Sequence, residues 1–181
     1  MPFKETQTRL TFSHDSETLV IDPWGPNAFR VRATQLSTLP SENWALLSPV
    51  PEPDQVKPHF HTEPDGAHTI SNGNVSANVS KTGKLTICNT KAGKHILEEY
   101  TRNRRNVLDA GASALEIEAR DFKAIVGSDS FHLTARFESL DPREKIYGMG
   151  QYQQRCMDLK GCDLELAQRN SQVKCSDVMY S

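Results

Sequence analysis

Cationic residues are too few for a nucleic-acid footprint: 21 Lys plus Arg stand against 23 Asp plus Glu, a net charge of −2. Phosphate neutralisation needs a clear basic excess, so nucleic-acid binding is not expected. Long apolar runs are missing as well, and without about 18 consecutive apolar residues no helix can span a membrane. The start, Met1 to Arg9, carries two basic residues with no apolar block behind them, which is not a secretory signal. The expected compartment is therefore the cytoplasm. Cysteine is scarce, with four residues at 88, 156, 162 and 175, and their intervals match no zinc or thiol-redox motif. Neither a metal nor a cofactor is expected.

Leu, Ile, Val and Phe together make 39 of 181 residues, enough for one modest core. The length favours a single domain. Alternation of period two dominates. Glu17 to Asp22 is a β-branched-rich run, and Ala28 to Thr34 sets Phe29, Val31 and Ala33 opposite Arg30, Arg32 and Thr34. Between them, Pro23-Trp24-Gly25-Pro26-Asn27 predicts a rigid turn. Six of the ten prolines fall from Pro40 to Pro64, so that stretch is expected to be a surface connection, pinned by Trp44. Runs over Ala67 to Ser71, Asn74 to Ser80, Lys84 to Asn89 and His95 to Glu99, with glycine-bearing separators, predict an antiparallel meander. Strands are also expected at Ala114 to Ala119 and at Phe131 to Glu138, the latter with Phe131, Leu133, Ala135 and Phe137 facing in. A period of 3.6 shows only weakly, at Glu98 to Leu108. The fold class is all-β, an antiparallel β-sandwich.

The last part differs. Leu140 to Glu144 predicts one helical turn with Asp141 as cap and Pro142 in first position, and Lys145 to Gly150 a strand. Gln151 to Ser181 holds three cysteines and no clean alternation, so an irregular loop segment is expected. Gly148 and Gly150 supply two glycines of a dinucleotide fingerprint, but Gln153 stands where the third belongs. His59 and His61 could face one way on an extended segment, yet no third ligand is suitably spaced. Arg102 to Arg105 reads as part of a mixed solvated face, and no Gly-x-Ser-x-Gly elbow supports a serine hydrolase. The sequons at Asn74 and Asn78 read as polar positions of a strand. The segment Asp158 to Asn170 is densest in polar groups. Carboxylates, an amide and an arginine suit a polyhydroxylated ligand, because they pair with vicinal hydroxyls; a charged loop facing water is the competing reading.

Tyr147-Gly148-Met149-Gly150-Gln151, with Asp141-Pro142-Arg143-Glu144-Lys145-Ile146 before it and Asp163 to Gln172 after it, resembles the end of the N-terminal domain of glycoside hydrolase family 31. Pro23 to Arg32 is similar to that family's early strand pair, and Asn72 to Glu98 to its central meander. The resemblance covers roughly residues 8 to 172. It implies a galactose-mutarotase-like sandwich over 1–150, followed by a loop segment, 151–181, that in relatives leads to a (β/α)8 barrel. That barrel carries the two aspartates of a retaining α-glucosidase or α-xylosidase. It needs about 250 residues, so this chain lacks the catalytic pair. From Val173 onward the sequence diverges, which suggests a truncated product or gene model. By position in the family, Asp163 accepts a sugar hydroxyl from an α-glucoside or α-xyloside, with Arg169 and Asn170 as companions. A catalytic barrel domain is the implied protein partner. The alternative is an autonomous carbohydrate-binding module, for which only Trp24 and Trp44 could supply an aromatic platform.

Overall fold

The computed structural model describes residues 2–39, 41–43, 46–47, 57–103, 116–139, 141–148, 157–163 and 174–175. Of these, residues 102, 103, 116, 117, 163, 174 and 175 are described by backbone alone. All regular structure among them is β, and every strand pair is antiparallel. The chain divides into two compact units, Met1–Glu138 and Ser139–Ser181.

In the first unit, β1 (Phe3–Glu5), β2 (Leu10–His14), β3 (Glu17–Pro23) and β4 (Phe29–Thr34) pair in sequence order. A second sheet runs, again in order, through β5 (His59–Thr62), β6 (His68–Asn72), β7 (Val75–Val79), β8 (Leu85–Asn89) and β9 (Lys94–Glu98). The two sheets share one core. Leu10, Phe12, Leu19 and Ile21 from the first pack with Ile70, Ala77, Val79 and Leu85 from the second. Each is the inward member of an alternating pair, which is why period two in the sequence becomes a two-layer sandwich. Full burial of each larger aliphatic side chain stabilises by about 1.5–3 kcal/mol.

Gly83 shows how closely the layers meet. Its φ of +86° lies in the left-handed region, and a Cβ there would stand 2.6 Å from Cε1 of Phe12. Asparagines fasten the turn after β3 to the second sheet. Asn72 Nδ2 donates to the carbonyls of Gly25 and Ala28, both at 2.8 Å, and Asn27 Oδ1 accepts the Asn74 N–H at 2.6 Å.

Three short pairs complete the strand inventory. β10 (Arg102–Asn103) pairs with β11 (Glu116–Ile117), and β12 (Arg120–Ala124) with β13 (Phe131–Ala135). In the second unit, β14 (Cys162–Asp163) pairs with β15 (Lys174–Cys175). A bridge between Glu99 and Phe137 joins the β12–β13 hairpin to the chain just beyond β9, supported by the Glu138 N–H donating to Glu98 O at 2.8 Å.

Two ionic clusters sit in the first unit. Asp22, 8% exposed, accepts from Arg9 Nε at 2.5 Å, Arg32 Nη2 at 3.0 Å and Arg30 Nη2 at 3.2 Å. Arg120 is held by Glu17, by both carboxylate oxygens of Glu99 and by the Gly83 carbonyl.

Several expectations need correction. The face of β13 expected to point inward is open, with Leu133 53% and Phe137 52% exposed. Arg120, opposite Ala135 in register and so on that same side, is buried at 7% exposure. Val31, expected on the core face of β4, is 37% exposed, whereas Phe29 and Ala33 do touch the core. β1, β2, β5 and β12 lie where no strand was expected. The weakly helical stretch from Glu98 is extended in its described part. Of Ala114 to Ala119, only Glu116–Ile117 is strand within the described residues, and no strand forms over 145–148. At Asp141 the chain makes one turn, closed by the Glu144 N–H to Asp141 O at 3.0 Å. Trp44 and the expected domain boundary at Gly150 lie outside the described residues.

Candidate functional site

Position 163 is placed by a knot of backbone and carboxylate hydrogen bonds in the second unit. The Leu159 N–H donates to Ile146 O at 2.7 Å, which holds segment 157–163 against segment 145–148. Asp158 Oδ1 accepts the Ile146 N–H at 3.1 Å and the Lys160 N–H at 3.2 Å. Those two backbone donors hold its carboxyl below the usual value. Lys160 Nζ donates to Asp141 O at 2.8 Å, while Leu159 is 3% exposed and anchors the loop. A turn closed by the Cys162 N–H to Leu159 O at 3.0 Å, with Gly161 at φ +76°, launches β14. Such a turn needs positive φ, and glycine adopts it without a Cβ penalty.

Asp163 is thus the second residue of β14, opposite Lys174 of β15 in register. Arg169 and Asn170 lie outside the described residues. Segment 157–163 is a loop stiffened by Asp158 and stapled by Leu159. The carboxylate that does the stapling was not singled out. Its signal was available as an Asp two residues before a lysine and three before a glycine, a turn-capping pattern.

The other sequence candidates are dispersed. His59 and His61 are exposed on β5, and His61 lies 3.6 Å from Glu63. Among the described residues no three metal-ligating side chains come together. The Arg30 guanidinium stacks over one face of the Trp24 ring, 4.0 Å from its centroid. Gly148 has a φ of +106°, and its companions 149 and 150 are outside the described set. No helix among the described residues is long and apolar enough to cross a membrane.

Sequence reading did not foresee the exposure of Leu133 and Phe137. Register puts Phe137 opposite Glu99, and Leu133 opposite Phe122, so Leu133, Ala135 and Phe137 share one side of the hairpin with Phe122. Leu97, 41% exposed, shares that side through Glu99 two residues on. Strand alternation predicted that Phe131, Leu133, Ala135 and Phe137 would face in.

No family model matches the chain. An uncharacterized family 31 glucosidase, ORF2 of Pseudescherichia vulneris, is 39% identical over 185 aligned positions, 98% of this chain and 34% of the relative. The crystal structure of a GH31 α-xylosidase from a soil metagenome, complexed with xylose, superposes with a TM-score of 0.79. There the identity is 43%, covering 95% of this chain and 25% of that one.

Over nearly all of its length the chain is similar to family 31 glycoside hydrolases. It spans about a third of the length of the curated relative and a quarter of the solved one. The match is consistent with an N-terminal β-sandwich domain of such an enzyme. A (β/α)8 barrel of about 250 residues cannot be contained in 181.

Proposed function

We propose that this sandwich is the substrate-rim and docking domain of a retaining α-glycosidase acting on α-xylosides or α-glucosides. The observation that carries the reading is 43% identity over 95% of the chain to an α-xylosidase solved with xylose. The fold is of the galactose-mutarotase type, and the working compartment is the cytoplasm.

In this reading the barrel supplies nucleophile and acid/base, two carboxyl groups about 5–5.5 Å apart across the scissile bond. The sandwich contributes position. Asp163, carried on the stiffened loop after Gly161, accepts a hydroxyl of the bound sugar, and Arg169 and Asn170 donate to neighbouring oxygens. A carboxylate accepts from two hydroxyls at once, and such pairing strengthens once the barrel excludes water from the pocket. The open side of β13, with Leu133 and Phe137, is the surface that a neighbouring catalytic domain would cover. Exposed contiguous apolar area of this kind marks interaction sites.

A chimera tests the reading: residues 1–172 replace the matching segment of the soil-metagenome α-xylosidase. The chimera is expected to hydrolyse an aryl α-xyloside, and Asp163→Ala within it to lower kcat/KM at least tenfold. A folded but inactive chimera, or an Asp163→Ala variant indistinguishable from it, refutes the proposal. The 181-residue chain alone is expected to give no turnover on aryl α-xyloside or aryl α-glucoside.

A further inference from the structure

The sandwich unit contains a cavity of about 340 Å³ lined by Thr8, Asp22, Pro23, Trp24, Arg30, Lys57 and Pro58. It uses none of Asp163, Arg169 or Asn170. Its size is at the lower end for small-molecule sites, which suits a ligand as large as a monosaccharide.

The charge balance at this cavity is one-sided. Asp22 is the one carboxylate among the described lining residues, and it is already shared by Arg9, Arg30 and Arg32. Of the described lining residues, Arg30 and Lys57 are cationic and Asp22 alone is anionic, its charge already engaged by Arg9 and Arg32 behind the lining. Asp22 is also the single hydrogen-bond acceptor that Arg30 has among the described residues, although a guanidinium carries five N–H donors. Its Nε is buried without a hydrogen-bond partner. An oxyanion is the group that a planar guanidinium fork matches best.

The walls are preset. Arg30 is stacked 4.0 Å above the Trp24 ring, and Trp24 Nε1 donates to Leu47 O at 3.0 Å, so neither side chain has to be ordered on binding. Pro23, Trp24 and Pro58 present apolar edges suited to the C–H face of a pyranose, and Thr8 presents a hydroxyl. Lys57 is exposed and adds a point charge to the lining.

We propose that this cavity binds an anionic monosaccharide, its carboxylate or phosphate paired with Arg30 and Lys57 and its ring against Trp24 and the two prolines. The anionic part follows from the cavity itself; that the anion rides on a sugar rests on the family 31 reading. For the parent enzyme this would be a second sugar site, suited to an acidic substituent of a glycan or to a charged regulator.

Calorimetric titration of the full 181-residue chain at low salt tests it with four probes: glucuronate, glucose 6-phosphate, glucose and inorganic phosphate. One or both anionic sugars are expected to bind with millimolar or tighter affinity, at least tenfold tighter than glucose and phosphate; which of them binds tells carboxylate from phosphate. Lys57→Ala, at an exposed position, is expected to weaken binding at least tenfold with an unchanged unfolding transition. Arg30→Lys, which keeps the charge facing Asp22 but not the fork, is expected to do the same. Absence of binding by both anionic sugars, glucose binding equally well, or unchanged affinity in both variants overturns the proposal. Phosphate binding as tightly as glucose 6-phosphate overturns the sugar part. None of these results bears on the chimera's activity, so the two readings fail separately.

Discussion

Arg120 and Glu99 are locked face to face at the end of the sandwich, one guanidinium nitrogen reaching both carboxylate oxygens with side chains only 7% and 5% exposed. Glu99 also accepts the Leu85 N–H at 2.8 Å, and Arg120 donates to the Gly83 carbonyl at 2.8 Å and to Glu17. The pair therefore ties β3, the start of β8 and the β12–β13 hairpin together. Its worth lies in completeness, because the desolvation of both charges is offset only while every donor and acceptor is matched.

Arg120→Met should destabilise the chain by about 3–5 kcal/mol, since it strands Glu99 as a buried, unpaired charge. Replacing both residues with apolar side chains of similar volume should recover much of that loss. Urea unfolding of the single and double variants measures the difference; additive losses would show that the two residues are not coupled.

Stability should fall in acid through Asp22. Burial pushes its carboxyl up, but hydrogen bonds and charge from Arg9, then Arg30 and Arg32, outweigh it and hold the group below the ordinary 3.8. A depressed folded value means that the contribution is fully present above 3.8 and is lost as pH falls from there through the folded value. Asp22→Asn should be less stable than the native chain at pH 7, and the gap should close below pH 3.8. A gap independent of pH would refute this.

Gly83→Ala and Gly93→Ala should differ in cost. Both positions have positive φ, +86° and +61°, and share a backbone cost of about 1–2 kcal/mol. Only at Gly83 would the new methyl meet Phe12, adding an overpacking cost of about 1–3 kcal/mol. Thermal unfolding of the two variants separates these terms, and equal losses would mean that Phe12 yields freely.

Self-association should follow the open apolar face. Leu133→Lys with Phe137→Lys is expected to change stability by no more than about 0.5 kcal/mol per site. It should also shift sedimentation at high concentration toward monomer. Unchanged sedimentation of a chain that does associate would place the contact elsewhere.

The meander from His68 to Glu98 was legible because β7 and β8 alternate and each separator carries a glycine or asparagine that accepts positive φ. β1 and β2 were not, since three to five residues with one or two apolar members make too short a pattern to rise above chance. The segment holding Asp163 was legible as polar and turn-rich, whereas its stapling by Leu159 and Asp158 depends on a partner, Ile146, 12 and 13 residues away.

The amino-acid order by itself settled the all-β class and the likeness to family 31 glycoside hydrolases, because those depend on local alternation and on residue identity. Tertiary structure alone decided that Arg9, Arg30 and Arg32 converge on Asp22, that Arg120 finds Glu99, and that the apolar side of β13 stays open. Each of these depends on which distant strands become neighbours, and period-two patterning says which way a side chain points but not what stands opposite it.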